Sequence, residues 1–100
     1  MLKIDKTIEN GKAVIAPEGR LDTVTSPDME NAIKETIPGI SELTLDLANL
    51  EYISSAGLRV LLSAQKAIGG AGGSMKIRNV NDTIMEIFDI TGFSDILTIE

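Results

Sequence analysis

The chain has 100 residues, a formal net charge of −6, and a composition that is 43% hydrophobic but only 3% aromatic. This size and composition predict one globular domain over residues 1–100, with a core built from aliphatic side chains. The acidic charge argues against a nucleic-acid partner, because nucleic acids are bound through Lys and Arg side chains that neutralise phosphates.

The amino-terminal segment predicts two strands joined by a tight turn. Residues 2–8 alternate apolar and polar side chains as a half-buried strand does, and Asn10-Gly11 is a typical hairpin turn. The fully apolar residues 13–16 then predict a partner strand that is covered on both faces of the sheet. Residues 17–22, PEGRLD, follow this strand and end in a loop.

A helix is predicted over residues 25–37. Ser26 suits the capping position, and Pro27 suits the first helical position, where a missing backbone N–H has no intrahelical partner to lose. Pro38 and Gly39 are expected to end this helix, since proline cannot continue it.

The second half of the chain predicts two strands that alternate with two helices. Residues 42–50 alternate Leu with other side chains as a strand does, and residues 74–80 form a second short strand. Between them, residues 57–68 carry two apolar stripes, which predict a helix packed on the sheet and against a further neighbour. A last helix is predicted over residues 81–90, with Gly92 as its carboxy-terminal cap.

The predicted order β-β-α-β-α-β-α indicates an α/β fold, with one mixed sheet of about four to five strands packed with about three to four helices. No apolar run approaches the roughly 20 residues that a membrane helix needs, and the amino terminus lacks the apolar segment of a signal peptide. We therefore expect a cytoplasmic protein without a membrane partner. Nothing in the sequence requires more than a monomer.

Two further groups of residues could in principle support chemistry. The glycine-rich residues 69–73 follow a helix and lack the Lys-Ser/Thr of a phosphate-binding loop, so they are interpreted as a flexible connection. Four carboxylates, which are Asp22, Asp28, Asp46 and Glu51, show no spacing typical of acid–base catalysis or of a divalent ion. Since the chain also lacks histidine and cysteine, we expect no enzyme activity, no cofactor and no metal.

Ser54 and Ser55 lie side by side at the start of the helix predicted over residues 57–68. A nucleophilic serine needs a base, and a candidate such as Lys66 would lie more than two helical turns away. A helix cap is the simpler explanation and would contribute about 1 kcal/mol of stability. The same place would also tolerate a phosphoryl group, because the amino-terminal end of a helix is positively polarised. On this reasoning both roles, a cap and a phosphorylation switch, stay open.

Residues 53–62, ISSAGLRVLL, after the segment LTLDLANLEY, resemble the signature of the STAS domain family, particularly of the small bacterial anti-sigma factor antagonists. Residues 17–22 are similar to the Gly-x-Leu-Asp element of that family. Residues 84–99 are similar to its carboxy-terminal helix, turn and final segment. The resemblance spans nearly the whole chain and implies the STAS fold.

The resemblance implies a partner-switching regulator. Unphosphorylated family members bind an anti-sigma factor, which is itself a serine kinase with a histidine-kinase-like ATPase fold, and thereby release the sigma factor. That kinase uses ATP to phosphorylate a serine of the antagonist and so breaks the complex, and a PP2C-type phosphatase restores it. The expected phosphoacceptor in this chain is Ser55, with Ser54 as the alternative.

The resemblance also implies a partner-binding surface, which consists of Asp22, Ser54, Ser55, Ala56, Gly57 and Arg59. Two of these positions depart from the family pattern. Ser54 stands where many members have Asp, and we expect it to help cap or orient the helix. Arg59 stands where many members have Gly, and its added positive charge could pair with phosphate or with an acidic partner.

Three alternative functions stay open at the level of the sequence. A STAS domain can serve as an interaction module in a partner-switching pathway that does not control a sigma factor. A small enzyme or nucleotide-binding protein would bind or hydrolyse ATP, and we expect neither. A Ser55 that only caps the helix would cost about 1 kcal/mol when replaced by Ala and would affect no partner.

Overall fold

The computed structural model describes residues 2–100 and contains one five-stranded sheet with three α-helices over that range. The strands are β1 (Lys3–Glu9), β2 (Lys12–Leu21), β3 (Glu42–Asp46), β4 (Leu50–Ile53) and β5 (Ser74–Arg78). The helices are α1 (Ser26–Thr36), α2 (Ser55–Gly70) and α3 (Asp82–Thr91), followed by a 3-10 turn at Phe93–Asp95. The predicted α/β class and mixed sheet are confirmed.

Strand β2 organises the sheet, because it pairs with three other strands. It pairs antiparallel with β1 through the predicted hairpin, where Asn10 and Gly11 both have positive φ (52° and 75°). It pairs in parallel with β3 along residues 12–15 and with β4 along residues 19–21. Strand β5 pairs in parallel with β3, so the order of the main path is β1-β2-β3-β5.

Strand β2 is longer than predicted and is fully buried on only one face. It continues through Pro17 and Gly19 to Leu21, because β1 pairs with it as far as Glu18 and β4 pairs with it from there. Alternate residues from Ala13 to Pro17 are buried, whereas Val14 and Ala16 are only partly covered. The prediction of a strand covered on both faces was therefore wrong.

The strand predicted over residues 42–50 is two strands with a short break between them. Strand β3 pairs in parallel with the first part of β2, and β4 pairs in parallel with its last part. Strand β4 therefore continues along β2 beyond the point where β3 ends. Two hydrogen bonds close the break: the Ala48 N–H donates to Asp46 Oδ1 (3.1 Å) and the Leu50 N–H donates to the Leu47 carbonyl (3.1 Å). The predicted order lacked β4, since four residues are too short to show a strand period.

The core lies between the sheet and the inner faces of the helices. Met29 of α1, Leu61 of α2 and Phe88 of α3 are completely buried. Helices α1 and α2 also pack against each other, so the neighbour predicted for the second stripe of α2 is α1, which covers Val60 and Ala64. Within residues 2–100, no helix is both long and apolar enough to cross a membrane.

The first two helices begin at other residues than predicted. Helix α1 has Thr25 at its capping position, so the assignment of Ser26 as the cap was wrong. The Ser26 hydroxyl donates instead to the Asp22 carbonyl (2.5 Å) and lies in the first helical position, which moves Pro27 to the second. Helix α2 is two residues longer at each end than predicted and includes the first two glycines of the glycine-rich segment.

Helix α3 has a defined cap at each end. At its start the Ile84 N–H donates to Asn81 Oδ1 (2.9 Å), and the Asn81 Nδ2 donates to the Leu50 carbonyl (2.7 Å), which ties the helix to β4. At its end Gly92 has a left-handed backbone (φ 81°), so the predicted cap is confirmed. After the 3-10 turn, Ile99 forms a parallel bridge with Ile77 of β5.

Candidate functional site

Two strand-to-helix junctions meet at the carboxyl ends of β2 and β4. These strands pair in parallel with Leu21 opposite Ile53, so the loop to α1 and the start of α2 leave the sheet side by side. The Ser54 N–H donates to the Leu21 carbonyl (2.9 Å) and joins the junctions directly. The structure therefore brings Asp22 close to the serine pair, although they are about 30 residues apart in sequence.

Ser54 is the amino-terminal cap of α2. Its backbone is extended (φ −93°, ψ 175°), and its Oγ accepts a hydrogen bond from the Gly57 N–H (3.3 Å). Its carbonyl accepts from the Leu58 N–H (2.9 Å), as the carbonyl of a capping residue does. The expected capping role of Ser54 is confirmed. Its hydroxyl is partly buried and already accepts a hydrogen bond from the backbone.

Ser55 is the first residue of α2 and is exposed. Within residues 2–100 its hydroxyl has no hydrogen-bond partner, so the alternative in which Ser55 serves only as the cap was wrong. The backbone N–H groups of Ser55 and Ala56 donate to no acceptor in the same range, and the first turn of α2 contains no acidic residue. The positive end of α2 is thus free to interact with added negative charge.

Gly57 lets α2 begin directly against the ends of two strands. A Cβ at this position would lie 2.7 Å from Ile53 Cγ1 and 2.9 Å from Leu21 Cγ, which is closer than real Cβ atoms approach other atoms. Because Gly57 is buried, we expect it to contribute to a partner surface by positioning the first turn of α2, with Ser55 on its outer side.

Asp22 orders the loop between β2 and α1. Its Oδ1 accepts from the N–H groups of Val24 (3.0 Å) and Thr25 (3.1 Å), and its own N–H donates to Thr25 Oγ1 (2.9 Å). The hydrogen bonds that the Asp22 carboxylate accepts, chiefly the one from the Thr25 N–H, lower the pKa of this carboxyl below its ordinary value, although desolvation opposes them. An ionised Asp22 therefore stabilises this loop.

Val24 is a surface residue that sequence reasoning missed. It lies in the loop ordered by Asp22, and 85% of its surface is exposed. Burying an exposed apolar side chain against another protein is favourable, so Val24 is a candidate contact for a protein partner. A signal was present, because Val24 precedes α1 and is not part of the apolar stripe, including Met29 and Ile33, that this helix turns inward.

Arg59 lies on the surface of α2, one helical turn after Ser55. It borders a shallow groove between α1 and α2, together with residues that include Thr23 and Glu30. The Glu30 carboxylate pairs with Lys34 (2.8 Å), and Arg59 forms no salt bridge in the part of the chain that the structure describes. Its guanidinium is therefore available to other anions.

The other carboxylates considered from the sequence do not join this site. Burial raises the pKa of the Asp46 carboxyl, but the hydrogen bonds that it accepts, first from the Ala48 N–H, outweigh burial and leave the pKa below its ordinary value. Asp28 lies in the first turn of α1, and Glu51 is exposed on β4. Over residues 2–100, no three acidic side chains come close enough together to hold a metal ion.

The chain is similar in sequence to proteins of one known family. The family model of the STAS domain matches residues 3–100. The chain is 30% identical over 81 residues to the anti-sigma-B factor antagonist of Bacillus subtilis (strain 168), a match that covers 81% of this chain and 74% of that protein.

Solved structures share the fold at lower sequence identity. An anti-sigma factor antagonist from Mycobacterium paratuberculosis superposes with a TM-score of 0.88 at 22% identity, over 99% of this chain and 85% of that one. The anti-sigma factor antagonist SpoIIAA in its unphosphorylated form gives a TM-score of 0.82 at 16% identity, over 100% and 88% of the two chains. The Bacillus cell fate determinant SpoIIAA in its phosphorylated form gives 0.75 at 16% identity, over 100% and 91%.

Proposed function

This chain belongs to the STAS domain family, and we propose that it is an anti-sigma factor antagonist whose activity is switched off by phosphorylation of Ser55. In its unphosphorylated form it binds an anti-sigma factor that is also a serine kinase, and the bound sigma factor is released. The kinase then phosphorylates Ser55 and the complex dissociates. A PP2C-type phosphatase returns the chain to its binding form.

The observation that carries this proposal is the division of roles between the two serines. Ser54 caps α2, so the Ser55 hydroxyl is exposed and can be modified without loss of the cap. A phosphoryl group at Ser55 adds about −1.5 to −2 charges next to the positive end of a helix, where negative charge is stabilised. Phosphorylation would therefore change the surface while leaving the fold intact.

The transfer step needs a base, and we propose that the kinase supplies it. The Ser55 Oγ attacks the γ-phosphorus of ATP, a new P–O bond forms, the bond to the β-phosphate oxygen breaks, and ADP leaves. Ser54 supplies no carboxylate, and the Asp22 carboxylate nearby already accepts hydrogen bonds from the N–H groups of its own loop, so we assign the hydroxyl proton to a group of the kinase. SpoIIAA, which has a similar fold, has been solved in a phosphorylated form, and this supports the proposal that this chain is phosphorylated.

The proposed partner surface contains the six residues expected from the sequence, and we add Val24 as its apolar contact. Phosphorylation places a doubly charged group at the centre of this surface. Removing the phosphate from water at an interface costs several kcal/mol, and each 1.4 kcal/mol is a factor of ten in affinity, so we expect the complex to weaken by at least about 100-fold.

Retention of partners from a lysate of the source organism tests this proposal. The baits are the wild type, Ser55→Ala, Ser55→Glu and a control, Ser74→Glu, which adds the same charge at an exposed serine at the other end of the parallel strands. We expect mass spectrometry to find an ATPase with a histidine-kinase-like fold on every bait except Ser55→Glu. Circular dichroism verifies that each bait is folded.

Two results would contradict the proposal. If all four folded baits retain the same proteins, phosphorylation of Ser55 does not control binding. If none retains such an ATPase, the partner is of another class. An ATPase that is retained but has no affinity for a sigma factor would favour the alternative, an interaction module in a pathway that does not act on transcription.

A further inference from the structure

We propose that Arg59 binds the phosphate of phosphorylated Ser55 within the same chain, as a pair four residues apart on the first two turns of α2. This inference depends on the proposed phosphorylation of Ser55 and adds how the chain itself responds to the phosphate. It makes Arg59 part of the switch, at a position where the sequence departs from many relatives.

The spacing on α2 brings the two side chains onto one face of the helix. Ser55 is the first and Arg59 the fifth residue of α2, and residues four apart on a helix have their Cβ atoms about 6 Å from each other. Both side chains are exposed, so a contact between them requires no repacking of the core. The order is also favourable, because an anion that precedes the cation by four residues agrees with the helix dipole.

Neighbouring charges leave Arg59 available for this contact. Within residues 2–100 it forms no salt bridge, and Glu30, which borders the same groove, already pairs with Lys34. The other arginine near the junction, Arg20, lies over the ring of Tyr52, with its guanidinium carbon 4.4 Å from the ring centre. A guanidinium can form two parallel hydrogen bonds to phosphate, which gives Arg59 a defined geometry for the pair.

The pair would enlarge the change that phosphorylation makes to the surface. Before phosphorylation, Arg59 offers its N–H groups and its positive charge to acidic groups of a partner. After phosphorylation, those N–H groups are engaged by the phosphate, while the site gains about −1.5 to −2 charges. The partner would thus lose an attractive group and meet a repulsive one in the same step.

Titration of the phosphate by ³¹P NMR tests this pair directly. Phosphoserine is incorporated at position 55 during translation, so that no kinase is needed, and the chain is compared with Arg59→Gln, Arg59→Lys and Lys66→Gln. Lys66→Gln is the matched control, because it also removes one exposed positive charge from α2. Lys66 lies about 16 Å from Ser55 along the helix axis, which is beyond the Debye length of about 8 Å at physiological salt.

A nearby cation favours the doubly charged phosphate, so Arg59→Gln should move the titration midpoint to higher pH, by about 0.3 pH unit. Arg59→Lys should recover part of the shift, and Lys66→Gln should leave the midpoint unchanged. Equal midpoints for Arg59→Gln and the unsubstituted phosphoprotein would overturn the proposal, as would an equal shift in Lys66→Gln. Because phosphoserine is incorporated during translation, these results do not depend on whether a cellular kinase modifies Ser55.

Discussion

Replacing Gly57 by Ala gives a sharp test of how α2 is seated on the sheet. The added Cβ would lie 2.7 Å from Ile53 Cγ1, 2.9 Å from Leu21 Cγ and 3.0 Å from the Leu21 carbonyl oxygen, whereas ordinary contacts of a Cβ begin at about 3.4 Å. The Leu21 carbonyl oxygen belongs to the backbone, and Leu21 Cγ is the branch point of its side chain, so neither atom can rotate away. The start of α2 must then move outward by several tenths of an ångström.

The cost of this overpacking is about 1–3 kcal/mol, and the better helix propensity of Ala returns at most about 1 kcal/mol. Gly69→Ala is the matched control, since Gly69 lies in the same helix and no atom lies within 4 Å of its added Cβ. Free energies of unfolding from urea denaturation should therefore fall for Gly57→Ala and rise by about 0.5–1 kcal/mol for Gly69→Ala.

The difference between the two variants isolates the contact with the sheet, because both gain the same methyl group in the same helix. We expect Gly57→Ala to be the less stable of the two by about 1–3 kcal/mol. Equal free energies of unfolding for the two variants would refute the reasoning, since they would mean that the start of α2 has room beside Leu21 and Ile53. Gly57→Ala should also weaken binding to the kinase partner, because Ser55 moves with the first turn.

Other predictions address the helix cap at Ser54, the proposed phosphorylation site at Ser55, and the loss of stability at low pH. Ser54→Ala should lower the free energy of unfolding by about 1 kcal/mol, while Ser55→Ala should change it by less than about 0.5 kcal/mol; the reverse order in urea denaturation would assign the cap to Ser55. Ser55→Glu should stay folded with a midpoint equal to or above that of the wild type, because it adds an acidic side chain to the first turn of α2, and a lower thermal midpoint would count against an electrostatically favourable site. The lowered pKa of the Asp22 carboxyl means that its contribution to stability is present above the unfolded-state pKa of about 3.9 and is lost as the pH falls through the lower folded-state pKa. Asp22→Asn keeps an oxygen acceptor for the loop but does not titrate, so its urea midpoint should fall less between pH 7 and pH 3 than that of the wild type, and an identical fall would show that Asp22 is not one of the groups responsible.

Local patterns in the sequence were sufficient to predict most elements of the fold. Alternation of Leu with other side chains predicts β3, and the apolar stripes of residues 57–68 predict α2 and its neighbour. The turn at Asn10-Gly11 and the cap at Gly92 follow from the backbone angles that these residues adopt without strain. These features depend on neighbours within a few residues, which is why the sequence alone predicts them.

The extent of β2 and the existence of β4 depend on partners that are distant in sequence. Pro17 and Gly19 are typical of turns, yet they lie inside β2, because β1 and then β4 pair with this part of the strand. Leu50–Ile53 is too short to show a strand period of its own and is a strand only because it continues β3 along β2. Long-range pairing outweighs local propensity at both places.

The sequence by itself determined that two serines stand at the start of an apolar helix in an acidic chain without histidine or cysteine, and this pattern, with its resemblance, indicated a phosphorylated regulator. Only the tertiary structure decided which serine caps the helix. Either hydroxyl could cap a helix, because the local requirement is the same. Ser54 is the cap because its N–H is bound to the Leu21 carbonyl and Gly57 sits against the ends of two strands, which leaves Ser55 on the surface.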